Sequence, residues 1–470
     1  MPETNPAPAH KTTPFWWEAA PVRPLPEKSL PATVDVAIIG AGYTGLSAGL
    51  HLARAGRSVV CLDKMNPGEG ASSRNGGITS GNIRLDHATL VRRFGEPRAM
   101  AIEAEGKKAR EFLYHLLATE NIACDFSLSG RFSGALGPDD YESLARTAEK
   151  LEKKLGIEAY AVPQSEQRNY LGTDFYRGGS VRMDIGGLQP AKFHAELLRV
   201  ALAAGVQVRS GAAVTSVEKV GSGYQVTTEA GRISARQVLA CTNGYTDNSD
   251  RWLRRRMVPI RSRIIATEEL PEGLMATLMP KLMMCSETRN LGFYYRPSPD
   301  NKRILFGGRD GSTSGEPIEP TLHLKRNLIE IFPELKDVTL THSWFGHVAM
   351  HRDMIPRIFE RDGVVYATGF CGSGVVWAPW IGTQAARKLL GDKDMEPSAF
   401  DFRPPSAVPF YTGKPWFMPG VMAWYRHLDR KLMRAPVAEA CERQARRRAC
   451  RSTSPARETP ADDRSIFRAL

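Results

Sequence analysis

The chain reads as an α/β protein built on a doubly wound parallel sheet, and three adjoining stretches say so. Thr33–Gly40 (TVDVAIIG) is a short β-branched apolar run, the pattern of a strand buried on both faces. Tyr43–Ala55 then sets Leu46, Leu50 and Ala53 at helical spacing and stops at Gly56. Ser58–Asp63 (SVVCLD) reads as the next strand, so a parallel strand–helix–strand unit closes within about 30 residues.

The later elements follow the same signals. Ala101–Glu120 and Tyr141–Leu155 carry charges interleaved on an apolar helical period, and Ala191–Ala204 is a helix closed by Gly205. Four short strands come next, over Val206–Ser210, Ala213–Val220, Tyr224–Thr228 and Arg232–Thr242, parted by turns such as Gly221-Ser222-Gly223. Arg256–Arg309 is strand-rich, Val364–Thr368 is a last buried strand, and Val375–Leu390 is a helix ending at Gly391. Beyond Pro397 the prolines cluster at 404, 405, 409, 415 and 419, which predicts that compact structure frays there.

Composition bounds the class. At 470 residues the chain exceeds what one core supports, so two or three domains are expected. Its 42% hydrophobic and 24% charged residues are ordinary for a globular protein and exclude disordered and collagenous classes. No apolar run is long enough for a membrane-spanning helix. The seven cysteines are dispersed with no C-x-x-C, which argues against a disulfide framework or a zinc site. The proline-rich start lacks a basic-then-apolar leader, so a cytoplasmic location is expected. Net charge is +12, yet Tyr425–Leu470 alone holds 12 Lys/Arg against 6 Asp/Glu. The plain reading is a solvated basic tail; an anion- or membrane-binding tail is the other, and nucleic acid is not expected as a partner.

The chemistry starts at Gly40-Ala41-Gly42-Tyr43-Thr44-Gly45, a G-x-G-x-x-G that leaves a strand and opens a helix. Gly40 makes the turn, Gly42 lets backbone approach a pyrophosphate, and Gly45 lets helix and strand pack closely. The helix N-terminus offers unpaired N–H groups and about half a positive charge. Asp63, eighteen residues after Gly45, can accept from a ribose hydroxyl and disfavours a 2′-phosphate. This Rossmann-like fingerprint alone suits NAD or FAD. The loop Gly68–Gly77 (GEGASSRNGG) adds small residues, hydroxyls, an Arg and an Asn, which suit a pyrophosphate and a polyol chain. Thr368–Val375 (TGFCGSGV) repeats the strand–glycine–helix device, a second N-terminus able to stabilise negative charge on a reduced flavin edge.

These residues carry a resemblance. From about Phe15 to about Leu390 the chain resembles the FAD-dependent D-amino-acid-oxidase-like superfamily, which includes glycine and sarcosine oxidases. GAGYTGLSAGLHLARAG and GEGASSRNGG are most similar to the bacterial gamma-glutamylputrescine oxidases. Supporting segments are Asp184–Pro190, Cys241–Gly244, Tyr294–Pro297, Phe306–Arg309 and Trp344-Phe345-Gly346.

The resemblance implies a discontinuous FAD-binding domain (33–95, 185–250 and 345–395), with a mixed-sheet α+β substrate domain from 96–184 and 251–344. An arm, 1–32, precedes them and a Pro-rich then basic tail, 396–470, follows. It implies FAD contacts from the first glycine loop, from Asp63 and Lys64, and from Ser72, Ser73, Arg74, Asn75 and Gly76. Val214 would hold the adenine through its backbone, with Thr242, Gly369, Gly372, Gly374 and Val375 completing the set. Tyr294, Arg296, Arg309 and Trp344 are the expected substrate-side residues, the arginines suited to a carboxylate. Tyr294 and Arg296, two apart on a strand, share one face.

His347 stands where several relatives attach flavin through a Cys, so non-covalent FAD is expected. His351 reads as an ordinary polar residue, and Cys371 borders the flavin loop where relatives usually have Ser. Sarcosine-type oxidases place a Lys over the flavin to promote reaction with oxygen; here Leu305 takes that position, with Lys302 three residues away. The implied activity is oxidation of the C–N bond of a small amine or amino acid, by hydride transfer to flavin, to an imine that hydrolyses. Oxygen, giving hydrogen peroxide, or another electron acceptor reoxidises the cofactor. A tRNA-modifying flavoenzyme and a non-catalytic flavoprotein are the competing readings.

Overall fold

The computed structural model describes residues 10–392 and 396–434. The basic stretch around Arg446–Arg448 lies outside the described residues. Strands β1 (Thr33–Ile39) and β2 (Val59–Leu62) open the chain. After two helices come β3 (Arg131–Gly134), β4 (Ala159–Val162) and β5 (Gly179–Arg182). Then follow β6 (Gln207–Arg209), β7 (Val214–Val220), β8 (Gly223–Thr228) and β9 (Gly231–Ala240). The next run is β10 (Val258–Thr267), β11 (Met284–Glu287), β12 (Tyr294–Pro297), β13 (Ile304–Arg309) and β14 (Leu340–Met350), and β15 (Arg357–Arg361) and β16 (Val364–Thr368) finish the set.

These sixteen strands sort into two sheets that the chain visits alternately. One has the order β15-β16-β9-β1-β2-β6, with β7 and β8 hung from β9. Its centre is parallel (β6-β2-β1-β9-β16), as the buried β-branched runs predict. The other has the order β14-β10-β13-β12-β11-β3-β5-β4 and is mixed, with β11 and β3 the parallel neighbours. The α/β class and the discontinuous two-sheet plan thus match the expectation.

Three boundaries differ. Strand β14 runs on to Met350 inside the mixed sheet, past the expected edge at 344, because ten of its residues pair with β10. Helix Glu96–Thr119 packs Ala99, Ile102, Ala109 and Leu113 into the core of the parallel sheet, so its apolar face belongs with the first domain. The proline-rich stretch does not fray. Phe400 is fully buried, and Ile358 of β15 exchanges hydrogen bonds with Phe400 and Phe402. The buried Glu105 accepts from Trp380 Nε1, Ser398 Oγ and Ala399 N, which ties segment 398–402 to the Glu96–Thr119 helix. Helix Met418–Arg434 follows, and Asp429 accepts from Asn290 N and Nδ2 (2.8 and 2.7 Å) and from Leu291 N. Prolines set local breaks, but burial and these bonds hold the segment down. Among the described residues no helix is long and apolar enough to cross a membrane.

On the mixed sheet the alternation is clean. Phe132, Val181, Ile265, Cys285, Tyr295 and Phe306 face helix Glu319–Ile331 and form that domain's core. Their neighbours Arg131, Ser133, Ser262, Ser286, Tyr294 and Arg309 face the parallel-sheet domain, as the two-residue period requires.

Helix Tyr43–Arg54 is held by backbone-to-backbone approach. A Cβ on Gly45 would collide with the Gly40 carbonyl, and one on Gly382, in helix Gly374–Leu390, would collide with the Thr44 carbonyl. Gly382→Val should therefore destabilise by about 1–3 kcal/mol or more through overpacking. Gly420→Ala, in helix Met418–Arg434 with open space around it, should stabilise by up to about 1 kcal/mol. Denaturant unfolding of the two variants checks the contrast; equal stabilities would contradict the packing account.

Candidate functional site

A cavity of about 520 Å³ lies between the two sheets. It runs from the first glycine loop and Asp63 past Val214 and Thr242 to Tyr294 and Arg309. Two helix N-termini open into it, from Tyr43–Arg54 and Gly374–Leu390, each after a β-strand and a glycine turn. Gly40 takes φ +106° where the chain turns off β1 beside the Cys241 carbonyl. Tyr43 N donates to Ser72 Oγ (3.0 Å), and a Cβ on Gly42 would stand 2.7 Å from that same oxygen. Any side chain there would have to push the Ser72 hydroxyl aside.

Asp63 bridges the loops. Its Oδ2 accepts from Ala41 N (2.8 Å) and its Oδ1 from Met65 N (3.0 Å). Burial raises its pKa, against those two bonds, so the carboxylate depends on the donors around it. Lys64 Nζ donates to Asp247 Oδ2 and to the Tyr245 carbonyl, closing the rim. Asn75 Nδ2 donates to the Ala71 and Ser72 carbonyls while its Oδ1 accepts from Gly77 N, which folds the 71–77 loop on itself. Arg74 lies over the Trp17 ring, 4.6 Å from its centre, and donates to the Glu69 carbonyl.

Of the expected cofactor residues, Gly40, Gly42, Tyr43, Thr44, Asp63, Lys64, Ser72, Arg74, Asn75 and Gly76 line the cavity. So do Val214, Thr242, Gly372, Gly374 and Val375. Gly45, Ser73 and Gly369 do not. Gly45 serves the helix contact described above. Ser73 Oγ is buried, donating to the Gly68 carbonyl and accepting from Trp17 Nε1. Gly369 packs so close to the His351 ring that a Cβ there would collide with it.

The substrate side divides the same way. Tyr294 crosses the face of Gly307, next to Gly76, and shares a hydrogen bond with Ser262 Oγ (3.0 Å). Burial raises its pKa, so the phenol stays neutral. Arg309 stands opposite Ser262 on β10. No carboxylate pairs with it among the described residues. Burial and the neighbouring Arg84 push it down to about 10, which keeps it charged at neutral pH. Arg296 is corrected: it shares Tyr294's face, but the 77 loop and Leu188 cover that position. Its guanidinium donates to the Gly77, Leu188 and Pro297 carbonyls and clamps the loop from below. Trp344 is corrected too, being buried edge-on against Trp16 with Nε1 donating to the Arg74 carbonyl.

Ser262, Arg84 and Arg131 line the cavity without having been singled out. Ser262 could have been found from the strand period of β10 once its pairing with Arg309 was known; Arg131 carries no local signal. His347 lines the cavity and burial lowers its pKa, leaving it neutral. Cys371 is a buried thiol pushed up to about 11. Leu305 is in the core and Lys302 is on the surface beside Glu269.

Two buried histidines underpin the glycine loops. His194 Nε2 bonds the Ala41 carbonyl (2.8 Å), and His351 Nδ1 bonds the Arg256 carbonyl (3.1 Å). Burial lowers them to about 4 and about 3 from 6.5. Folded values below unfolded ones mean that stability is intact above pH 6.5 and lost as pH falls toward those values, about 1.4 kcal/mol per unit for each histidine. Unfolding free energy should drop between pH 6.5 and 4, less steeply in His194→Gln; a flat profile would contradict neutral burial.

Comparison with known proteins agrees with this geometry. The profile of the DAO family, described as FAD dependent oxidoreductase, matches residues 35–388. A probable oxidoreductase OrdL of Rhizobium meliloti (strain 1021) is 31% identical over 88% of this chain and 97% of its own length. The gamma-glutamylputrescine oxidoreductase of Escherichia coli (strain K12) is 28% identical over 77% of this chain and 85% of its own length. Among solved structures, glycine oxidase from Geobacillus kaustophilus superposes with TM-score 0.67 at 18% identity, covering 79% of this chain and 98% of that one. An L-amino acid deaminase from Proteus vulgaris gives 0.66 at 18% identity, over 81% and 99%. A match spanning three quarters of the sequence, joined to a cavity ringed by both glycine loops, establishes that the chain belongs to the DAO family of FAD dependent oxidoreductases.

Proposed function

We propose that the protein binds FAD non-covalently and oxidises the C–N bond of a small amine or amino acid. The observation that carries this is the single cavity joining the nucleotide loops to Tyr294 and Arg309. The cradle fits the cofactor: Gly42 leaves backbone room, both helix N-termini favour phosphate and anionic ring edges, and Asp63 suits a ribose hydroxyl. When bound, FAD supplies a ring that accepts two electrons from a carbon–nitrogen bond. The chain's own part is to hold and orient. Arg309, charged and without an acidic partner among the described residues, receives a substrate carboxylate, and Tyr294 and Ser262 offer hydroxyls beside it. The sheets on either side exclude water, which strengthens these contacts. The amine becomes an imine, and water then releases the carbonyl product and the nitrogen fragment. The names of relatives, a gamma-glutamylputrescine oxidoreductase and a glycine oxidase, support an amine or amino-acid substrate.

A second reading concerns the electron acceptor. By resemblance Leu305 stands where an oxygen-promoting lysine is expected, and the lysine that lines the cavity, Lys64, is held by Asp247. That favours an acceptor other than oxygen, and parallel peroxide and artificial-acceptor assays separate the two.

Purified protein should be yellow, with the flavin released by acid and absent from the denatured chain. Gly42→Val should abolish FAD binding, whereas Asp63→Ala should weaken it by about 1.5–3 kcal/mol. An anaerobic screen of amines and N-methyl amino acids should find one that bleaches the visible absorbance; if none does, the oxidation reading fails. With that substrate, Arg309→Met should raise KM by roughly 30- to several-thousand-fold, with lysine rescuing partly and FAD content unchanged. A substrate and its carboxamide handled alike by wild type would remove the carboxylate role.

A further inference from the structure

Far along the cavity from Arg309, three guanidiniums cluster around one carboxylate, which pairs with two of them. Asp184 takes Arg182 through both oxygens (2.6 and 3.0 Å) and Arg110 at 2.6 Å. Arg131 lies directly opposite Arg182 on the neighbouring strand, a like-charge pair that destabilises a sheet unless compensated. No carboxylate comes within ion-pair distance of Arg131 among the described residues, and its Nε is buried with no hydrogen-bond partner. Arg296, on the same sheet, donates from its guanidinium to the Gly77 and Leu188 carbonyls. Arg131 has none and lines the cavity instead, next to Ser286. Burial and Arg182 push it down to about 9, yet it remains charged at neutral pH.

The register locates it. Arg131 pairs with Met284, Ser286 with Tyr294, and Tyr294 with Gly307, so Arg131, Tyr294 and Arg309 lie in a diagonal row on one face. By strand spacing, Arg131 is about 12 Å from Tyr294 and about 20 Å from Arg309, Cα to Cα. The hydroxyls of Ser133 and Ser286, hydrogen-bonded to each other at 3.0 Å, stand on the same face beside it.

We infer that Arg131 heads a second anion subsite, which takes a carboxylate at the end of the substrate remote from the C–N bond. The inference rests on the oxidation reading for what happens at Tyr294, and on the charge imbalance alone for what binds at Arg131. The substrate class is then an amine bearing a distant carboxylate, whose charge completes a cluster left two positive charges in excess.

The test needs no turnover. The FAD-loaded protein is titrated by calorimetry with the diacids from succinate to suberate and with the monoacid of equal carbon number. In wild type one diacid length should bind at least about 30-fold tighter than its monoacid. In Arg131→Met and Arg131→Gln that preference should fall to within about threefold, and Arg131→Lys should restore part of it. Without ligand, Arg131→Met should keep its FAD and unfold no earlier than wild type, since a buried charge without a counter-charge is removed. A preference unchanged in both variants, no diacid preference in wild type, or loss of FAD and early unfolding would each overturn the subsite. A preference lost in the variants while no amine bleaches the flavin upholds the subsite and overturns the oxidation reading. An amine oxidised regardless of a remote carboxylate does the reverse.

Discussion

No side chain fits between helix Tyr43–Arg54 and the backbone on either side of it. Gly45 meets the carbonyl of Gly40 on the strand side, and Gly382 meets the carbonyl of Thr44 on the helix side. Both N-termini are thereby drawn to one end of the parallel sheet. Each presents unpaired N–H groups and partial positive charge to the cavity. His194 and His351 brace the turns from beneath as neutral groups, since a charge there would be stranded. Everything downstream, including which strand faces the cofactor, is arranged around that fixed pair of helix ends.

The mixed sheet supplies the opposite wall through its two-residue period. One face is aliphatic and aromatic and closes on helix Glu319–Ile331. The other carries hydroxyls, a phenol and guanidiniums, and is polar because it bounds a cavity instead of a core. Burying cations there is costly, and the molecule handles each differently. Arg296 is spent on carbonyls, Arg182 and Arg110 divide Asp184, and Arg309 and Arg131 are left facing the cavity. The division separates arginines that cement the structure from arginines that face the cavity.

How much could be read beforehand follows from how local each feature is. Strand, glycine turn and helix are neighbours in sequence, so Gly40, Gly42, Asp63 and the Gly372–Val375 turn were legible from spacing alone. Arg131 was not, since its place depends on β3 pairing with β11 some 150 residues later. Arg296 shows the limit of periodicity: it shares a face with Tyr294, but what covers that face comes from the 77 loop and Leu188. Segment 396–434 misleads for a related reason. Prolines report where regular structure stops, while Phe400 and Asp429 are placed by partners on distant strands and loops.

Asp429 has a further consequence, for the order in which the molecule is completed during synthesis. Asn290 and Leu291, in the loop after β11 at the cavity's edge, have N–H groups that wait for a carboxylate about 140 residues downstream. At about 5–20 residues per second, that interval is roughly 7–28 s. Through about the first half of it the nascent chain carries the first glycine loop and β1–β2 yet lacks β16 and its following helix, and through all of it the chain lacks the clasp on the opposite wall. The cofactor cradle therefore matures late, and the ribosome delivers a scaffold before it delivers a container.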